Sequence, residues 1–204
     1  MKYIYTFLFV TLAVLSRAQA VPYEMLDTAK VYYSIESALN ASIPVYRLDL
    51  TKSGLKELPA SLFTLVDLQE LILDRNKLKE LPKDIAKLKQ LQIISVSKNK
   101  LTGFPDLICN MRSLVRIDLS DNDVDRIPDE IHRLLNLKEL ILWSNVIGYY
   151  PTSLLRMEQL ILVDLLNNEM SVQEQERIKT LIPKAELKLS TPCNCTFYDG
   201  DEEE

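Results

Sequence analysis

The chain of 204 residues is short of the residue types on which most site chemistry depends, with one histidine, three cysteines and four glycines. A serine or cysteine nucleophile generally wants a positioned base beside it, and a lone His132 next to Ile131 supplies no such constellation. The few glycines form no phosphate-cradling loop. A structural zinc site wants four ligands, which Cys109, Cys193, Cys195 and His132, spread along the chain, do not offer. No catalytic residue, metal or cofactor is therefore expected. Aromatic residues are only 7% of the chain, so any core is aliphatic. Positive charge is also scarce: with Lys2 and Arg17 set aside, for reasons given below, 22 basic residues face 29 acidic ones, a net charge of −7. That sign argues against a general nucleic-acid binder.

What the chain has in abundance is regularity. Asn76, Asn99, Asn122, Asn145 and Asn168 stand 23 residues apart, each closing the phrase LxxLxLxxN, and Ser53 holds the equivalent place one period earlier. The phrase occurs six times, beginning at Val45, Leu68, Leu91, Leu114, Leu137 and Leu160. In an extended segment alternate side chains share a face. Leu71 with Leu73, Ile94 with Val96, Ile117 with Leu119, Leu140 with Leu142 and Val163 with Leu165 then give each coil one short strand with an inward apolar pair, and stacked coils pair these strands in parallel. Each asparagine amide is placed to satisfy backbone groups where the strand turns away, since an unpaired buried polar group costs roughly 1 to 3 kcal/mol. The other half of each coil reads LPxxIxxLxxL, as in Leu81, Pro82, Ile85, Leu88 and Leu91. A 3₁₀-like turn and polyproline backbone share its period of three. Pro59, Pro82, Pro105, Pro128 and Pro151 mark the entry to that outer side once per coil.

These motifs resemble the leucine-rich repeat, in its 23-residue class found in plant Ras-group-related repeat proteins and in many bacterial proteins. The flanks SIESALNASIPVYRLDL and ERIKTLIPKAELKL look like those of bacterial members. The resemblance spans roughly residues 45–170. It implies an α/β solenoid, with a curved parallel sheet on the concave side and 3₁₀, irregular or short helical segments on the convex side. It also implies a binding scaffold with no catalytic residues of its own.

The expected organisation follows in five parts. Residues 1–20, MKYIYTFLFVTLAVLSRAQA, have Lys2 near the start, an apolar run from about Tyr3 to Leu15, and Ala18-Gln19-Ala20 as a small-x-small cleavage site. They read as a signal peptide cut after Ala20, because about 13 apolar residues are too few to span a bilayer. Residues 21–44 are expected as a helical N-terminal cap, with one helix from about Glu24 to Leu39 that places Tyr32, Ile35 and Leu39 on a face. Six repeats fill 45–170. A helix and strand form the C-terminal cap, 171–190: Ser171 and Glu174 make a capping box, Ile178, Leu181 and Ile182 an apolar face, Pro183 the stop, and Leu187 and Leu189 a last strand. Residues 191–204 are an acidic tail read as disordered, with five acids between Asp199 and Glu204. Cys109, beside the inward Ile108, is expected as a half-buried thiol, and a disulfide through Cys193 or Cys195 suits an exported chain.

The outward strand positions carry the candidate binding surface. Most are polar, but Ile141, Trp143, Leu162 and Leu166 fall together in coils five and six, with Arg116 and Glu139 in the adjoining row. They are the candidate contact residues for a protein partner, and truncating a buried interface tryptophan often costs 2 kcal/mol or more. A charged stripe of Lys52, Arg75 and Lys98, with Lys77 and Lys100 two residues further on, could steer an acidic partner. Coil four reverses the sign with Asp121 and Asp123. The expected function is a secreted or periplasmic, monomeric, non-catalytic protein-binding scaffold with no membrane span after cleavage. Two alternatives stay open: a carbohydrate- or envelope-binding surface protein using Trp143, Tyr149 and Tyr150 for stacking, and an intracellular signalling scaffold if the leader is retained.

Overall fold

A 23-residue step in sequence becomes one strand step in space. The computed structural model describes residues 21–193. In it the strands β1 (Val31–Tyr32), β2 (Arg47–Asp49), β3 (Glu70–Ile72), β4 (Ile93–Ser95), β5 (Arg116–Asp118), β6 (Glu139–Ile141), β7 (Leu162–Asp164) and β8 (Glu186–Lys188) form one sheet in chain order. Every pairing is parallel, and Arg47, Glu70, Ile93, Arg116, Glu139 and Leu162 lie in one row across it.

Behind the sheet, the outer side resolves into 3₁₀ turns at Ala60–Thr64, Lys83–Lys87, Asp106–Asn110, Asp129–Arg133 and Thr152–Arg156. Each opens directly after one of the recurring prolines, whose φ lies between −70° and −75°. A proline there costs no hydrogen bond, because the first N–H groups of a turn have no partner within it. The inward pairs of the strands meet Leu62, Ile85, Ile108, Ile131 and Leu154 from the turns, and all are buried. Cys109 belongs to this core and is fully buried, not half-buried as expected, and burial pushes its thiol up to about 12.

Two polar columns hold the coils in register. Asn122 shows the first: its amide donates to the carbonyls of Val96 at 2.9 Å and Leu119 at 2.9 Å, and its Oδ1 accepts from the Leu101 N–H at 3.0 Å. Asn76, Asn99, Asn145 and Asn168 repeat the arrangement. Ser53 does not join this ladder. It is exposed and its hydroxyl reaches no described partner; coil one enters the ladder only through its Leu50 carbonyl, which accepts from the Asn76 amide at 2.9 Å. The second column was not visible in sequence. Lys52, Arg75, Lys98, Asp121, Ser144 and Asn167 all have φ between 54° and 58°, a left-handed conformation uncommon outside glycine. The first five donate their N–H to a carbonyl of the next coil at 2.7 to 2.9 Å, which compensates the strain.

The ends differ. No single helix runs from Glu24 to Leu39: a 3₁₀ turn (Tyr23–Thr28), β1 and a short helix α1 (Ile35–Leu39) take its place. Tyr32 sits in β1 and pairs with Leu48, and Leu39 is exposed. Adding a strand to the sheet satisfies backbone groups that an isolated helix would leave open, so the tertiary pairing overrides the helical spacing. At the C-terminal end α2 (Val172–Leu181) is opened by the reciprocal Ser171–Glu174 box and buried through Ile178 and Leu181, and β8 holds Leu187 but stops short of Leu189. No further coil follows to accept from Asn167, so the Ser190 hydroxyl accepts its N–H at 2.7 Å. Cys193 is disulfide-bonded. Among the described residues no helix is long and apolar enough to cross a membrane. The leader, residues 1–20, and most of the acidic tail lie outside the described residues.

Candidate concave binding face

Each strand of the six coils, β2 to β7, is three residues long, so each coil offers the concave face its first and third strand residues and the one two places beyond. The acids in these rows are engaged. Asp49 accepts the Thr51 N–H at 2.9 Å, Asp118 the Ser120 N–H at 3.0 Å, and Asp164 the Leu166 N–H at 3.1 Å. Asp74 accepts from the Ser95 hydroxyl at 2.6 Å and the Ser97 N–H at 2.9 Å. Burial raises the Asp74 carboxyl above its ordinary range, with those two hydrogen bonds opposing the shift. These carboxylates secure the turn out of the strand, and they are not poised as an acid–base pair.

The first row pairs with itself. Arg47 binds Glu70 in an ion pair, and Arg116 binds Glu139 at 2.9 Å. This row is also partly covered. The Val21 carbonyl accepts from the Gln92 amide at 2.7 Å, and Arg47 reaches the Asp27 carbonyl at 2.9 Å and its carboxylate at 3.5 Å. The segment 21–27 thus runs from coil three back to coil one across the entry ends of the strands. Leu26 is 1% exposed within it. Burial first, then the nearby Glu139, push the Tyr23 phenol up, and Arg116 opposes them. Arg116 and Glu139 are therefore paired with each other and act electrostatically on Tyr23. Sequence reasoning missed this strap, because VPYEMLDT carries no period.

The C-terminal part of the face is different. Ile141 is only 7% exposed, so it stiffens the sheet and offers a partner little surface, contrary to its expected place among exposed anchors. Trp143 and Leu162 are half-buried, and Leu166 is 37% exposed. The Trp143 ring lies toward coil three, where the Lys98 ammonium stands 5.8 Å from its centroid. Lys98 also meets Asp121 at 3.7 Å. The charged stripe and the apolar patch, read separately in sequence, touch through this lysine. Tyr150 is buried, with its hydroxyl on the Ile147 carbonyl at 3.1 Å, and it fills the column held elsewhere by Leu58, Leu81, Phe104 and Ile127. It is not available for stacking on a sugar. Tyr149 is exposed, its hydroxyl 3.3 Å from Asp129.

A parallel sheet that gains one strand per 23 residues, backed by 3₁₀ turns and laddered by asparagine amides, decides the class. The fold is the leucine-rich repeat. The family model for the leucine rich repeat matches residues 43–101 and 67–124. Among solved structures, the chain is similar to a leucine-rich repeat protein of Leptospira interrogans, with 31% identity over 81% of this chain and 49% of that one, at a TM-score of 0.63. An internalin of Listeria monocytogenes shares 26% identity over 57% of this chain and 49% of its own, with a TM-score of 0.50. The leucine-rich repeat ectodomain of a receptor kinase from Arabidopsis thaliana shares 29% over 61% and 70%, with a TM-score of 0.52. The chain spans about half the length of the Leptospira and Listeria proteins. No curated protein matches it. A leucine-rich repeat solenoid of this kind is a scaffold typical of protein binding, in a family whose members are generally non-catalytic.

Proposed function

We propose that this leucine-rich repeat protein is a secreted or periplasmic, non-catalytic module that holds a protein partner on the C-terminal part of its concave face. Trp143, Leu162 and Leu166 are the contact residues, and Arg116 and Glu139 border them. The observation that carries this reading is the Trp143 ring, half-exposed on the concave side beside the exposed Leu166. An aromatic ring adjoining exposed apolar surface at one end of the face is the pattern of a contact site. The leader-like first twenty residues support export, and the disulfide at Cys193 is in keeping with an oxidising compartment.

The test is affinity capture from the native envelope and medium with the product beginning at Val21, in three forms: unaltered, Trp143→Ala and Leu166→Asp. The expected result is a captured protein that both variants lose while remaining folded, with Trp143→Ala also giving up the roughly 0.5 to 1 kcal/mol of its Lys98 contact. Capture unchanged in both variants would sink the assignment. The intact mass of the protein from its native host reports on export, since a mature chain starting at Val21 is expected and one retaining Met1 contradicts it.

A further inference from the structure

The turn that follows each strand carries an exposed band whose charge is sharply sorted by coil. Lys52, Arg75 and Lys98 form one column, Lys77 and Lys100 a second, and Lys56 and Lys79 a third, all on coils one to three and all exposed. Coil four turns acidic at Asp121, Asp123 and Asp125. Lys98 alone of the seven cations has an acidic partner among the described residues. Glu57 and Glu80 follow the outermost column in sequence and are exposed. Seven cations gathered on one edge of a chain with net negative charge repel one another unless an anion lies over them.

The anion is written into the same chain. The Cys193 N–H donates to the Met170 carbonyl at 2.9 Å. Met170 occupies the place in coil six that Leu78 and Leu101 hold between the second and third basic columns, so the chain arrives at residue 193 on the edge that carries the cations. Coils are about 4.8 Å apart along a sheet, which puts coil three roughly 15 Å and coil one roughly 24 Å from coil six. An extended chain covers up to about 3.3 Å per residue, so Asp199 reaches about 20 Å from Cys193 and Glu204 about 36 Å. The five acids of Asp199–Glu204 thus come within range over coils three to one, beyond the acidic coil four.

We propose that the basic edge of coils one to three is a docking surface for an acidic polypeptide run, and that its occupant is this chain's own Asp199–Glu204. The contact is electrostatic and reversible, and it shields the edge from other anions. It rests on other residues than the concave-face reading, and the two surfaces meet only where Lys98 stands over Trp143.

The experiment compares amide spectra of the full chain with those of a variant carrying Asp199→Asn, Asp201→Asn, Glu202→Gln, Glu203→Gln and Glu204→Gln. Shift differences are expected at residues 52–56, 75–79 and 98–100, independent of protein concentration. They should vanish when salt rises from about 0.05 M to about 0.5 M, where screening shortens to a few ångströms. The Lys77→Glu, Lys100→Glu variant, altered only at exposed positions, should lose them too. Heparin, as an external polyanion, should bind the tail-neutral variant at least about threefold more tightly, because the tail no longer competes for the edge. Unchanged amides on the edge, differences that grow with concentration and so report a second copy, or equal heparin binding by both forms would each overturn the proposal. Leu166→Ala, at a concave-face contact residue apart from the seven cations, is expected to leave every one of these readouts unaltered, which separates a failure here from a failure of the concave-face assignment.

Discussion

The Lys98 ammonium stands 5.8 Å from the centroid of the Trp143 ring, two coils further along the solenoid, while also meeting Asp121 in the coil between them at 3.7 Å. One side chain therefore ties the basic edge to the aromatic of the concave face. A cation over an indole face at a partly exposed site contributes about 0.5 to 1 kcal/mol. Lys98→Met should lower stability toward urea by about that much. Trp143 is the only tryptophan, so acrylamide quenching of its fluorescence should rise in the same variant. Unchanged quenching would mean that the lysine does not hold the ring.

Asn122 and Ser53 occupy equivalent places in the repeat and should respond very differently to truncation. Asn122→Ala removes one acceptor and the donors to Val96 and Leu119 in a buried turn. A cost on the order of 3 kcal/mol is expected, since each stranded buried group costs about 1 to 3 kcal/mol. Ser53→Ala should fall within about 0.5 kcal/mol of the parent, as surface changes without a named role do. Paired urea titrations decide it, and a similar cost for both would show that the ladder includes Ser53.

The left-handed column gives a sharper test of backbone geometry. Ser144 has φ 55°, and a β-branched residue there is a genuine outlier. Ser144→Val should destabilise by roughly 1 to 2 kcal/mol, the cost per residue of the left-handed region, whereas Ser144→Asn should be nearly neutral. Equal melting temperatures for the two variants would contradict the conformation.

Cys109 has its thiol pushed up to about 12 by burial. Because the folded value lies above the unfolded one, near 8.5, the neutral thiol's contribution is complete below about pH 8.5 and is lost as pH rises toward 12. Stability should therefore fall over that alkaline window more steeply in the parent than in Cys109→Ala. Tyr150 is raised by burial as well and acts in the same sense in both proteins, so the difference between the two curves isolates the cysteine. Parallel curves would refute it.

The repeats were legible because their packing is periodic and local: an inward leucine stays inward whatever its neighbours do. The C-terminal cap was legible for a similar reason, since Ser171 and Glu174 act within one helical turn. The entry side was not. Its 3₁₀ turn and two-residue strand are set by contacts between residues far apart in sequence, such as Val21 with Gln92 and Asp27 with Arg47. The left-handed column was hidden because lysine, arginine, aspartate, serine and asparagine fill it in place of the glycine that would have marked it. Of the proposed contact residues, Ile141 illustrates the limit of alternation. It tells which face a side chain takes but not how tightly its neighbours close over it.

The last strand has a consequence for how the molecule meets copies of itself. A parallel sheet ends in open backbone donors and acceptors, which are a template for end-to-end growth into fibres. β8 is three residues long and sets Glu186 and Lys188 on either side of Leu187, so a strand added from outside would have to accommodate both charges. Just past β8, the Ser190 hydroxyl accepts the Asn167 N–H and ties the chain back to coil six. The sheet thus carries its own stop to polymerisation.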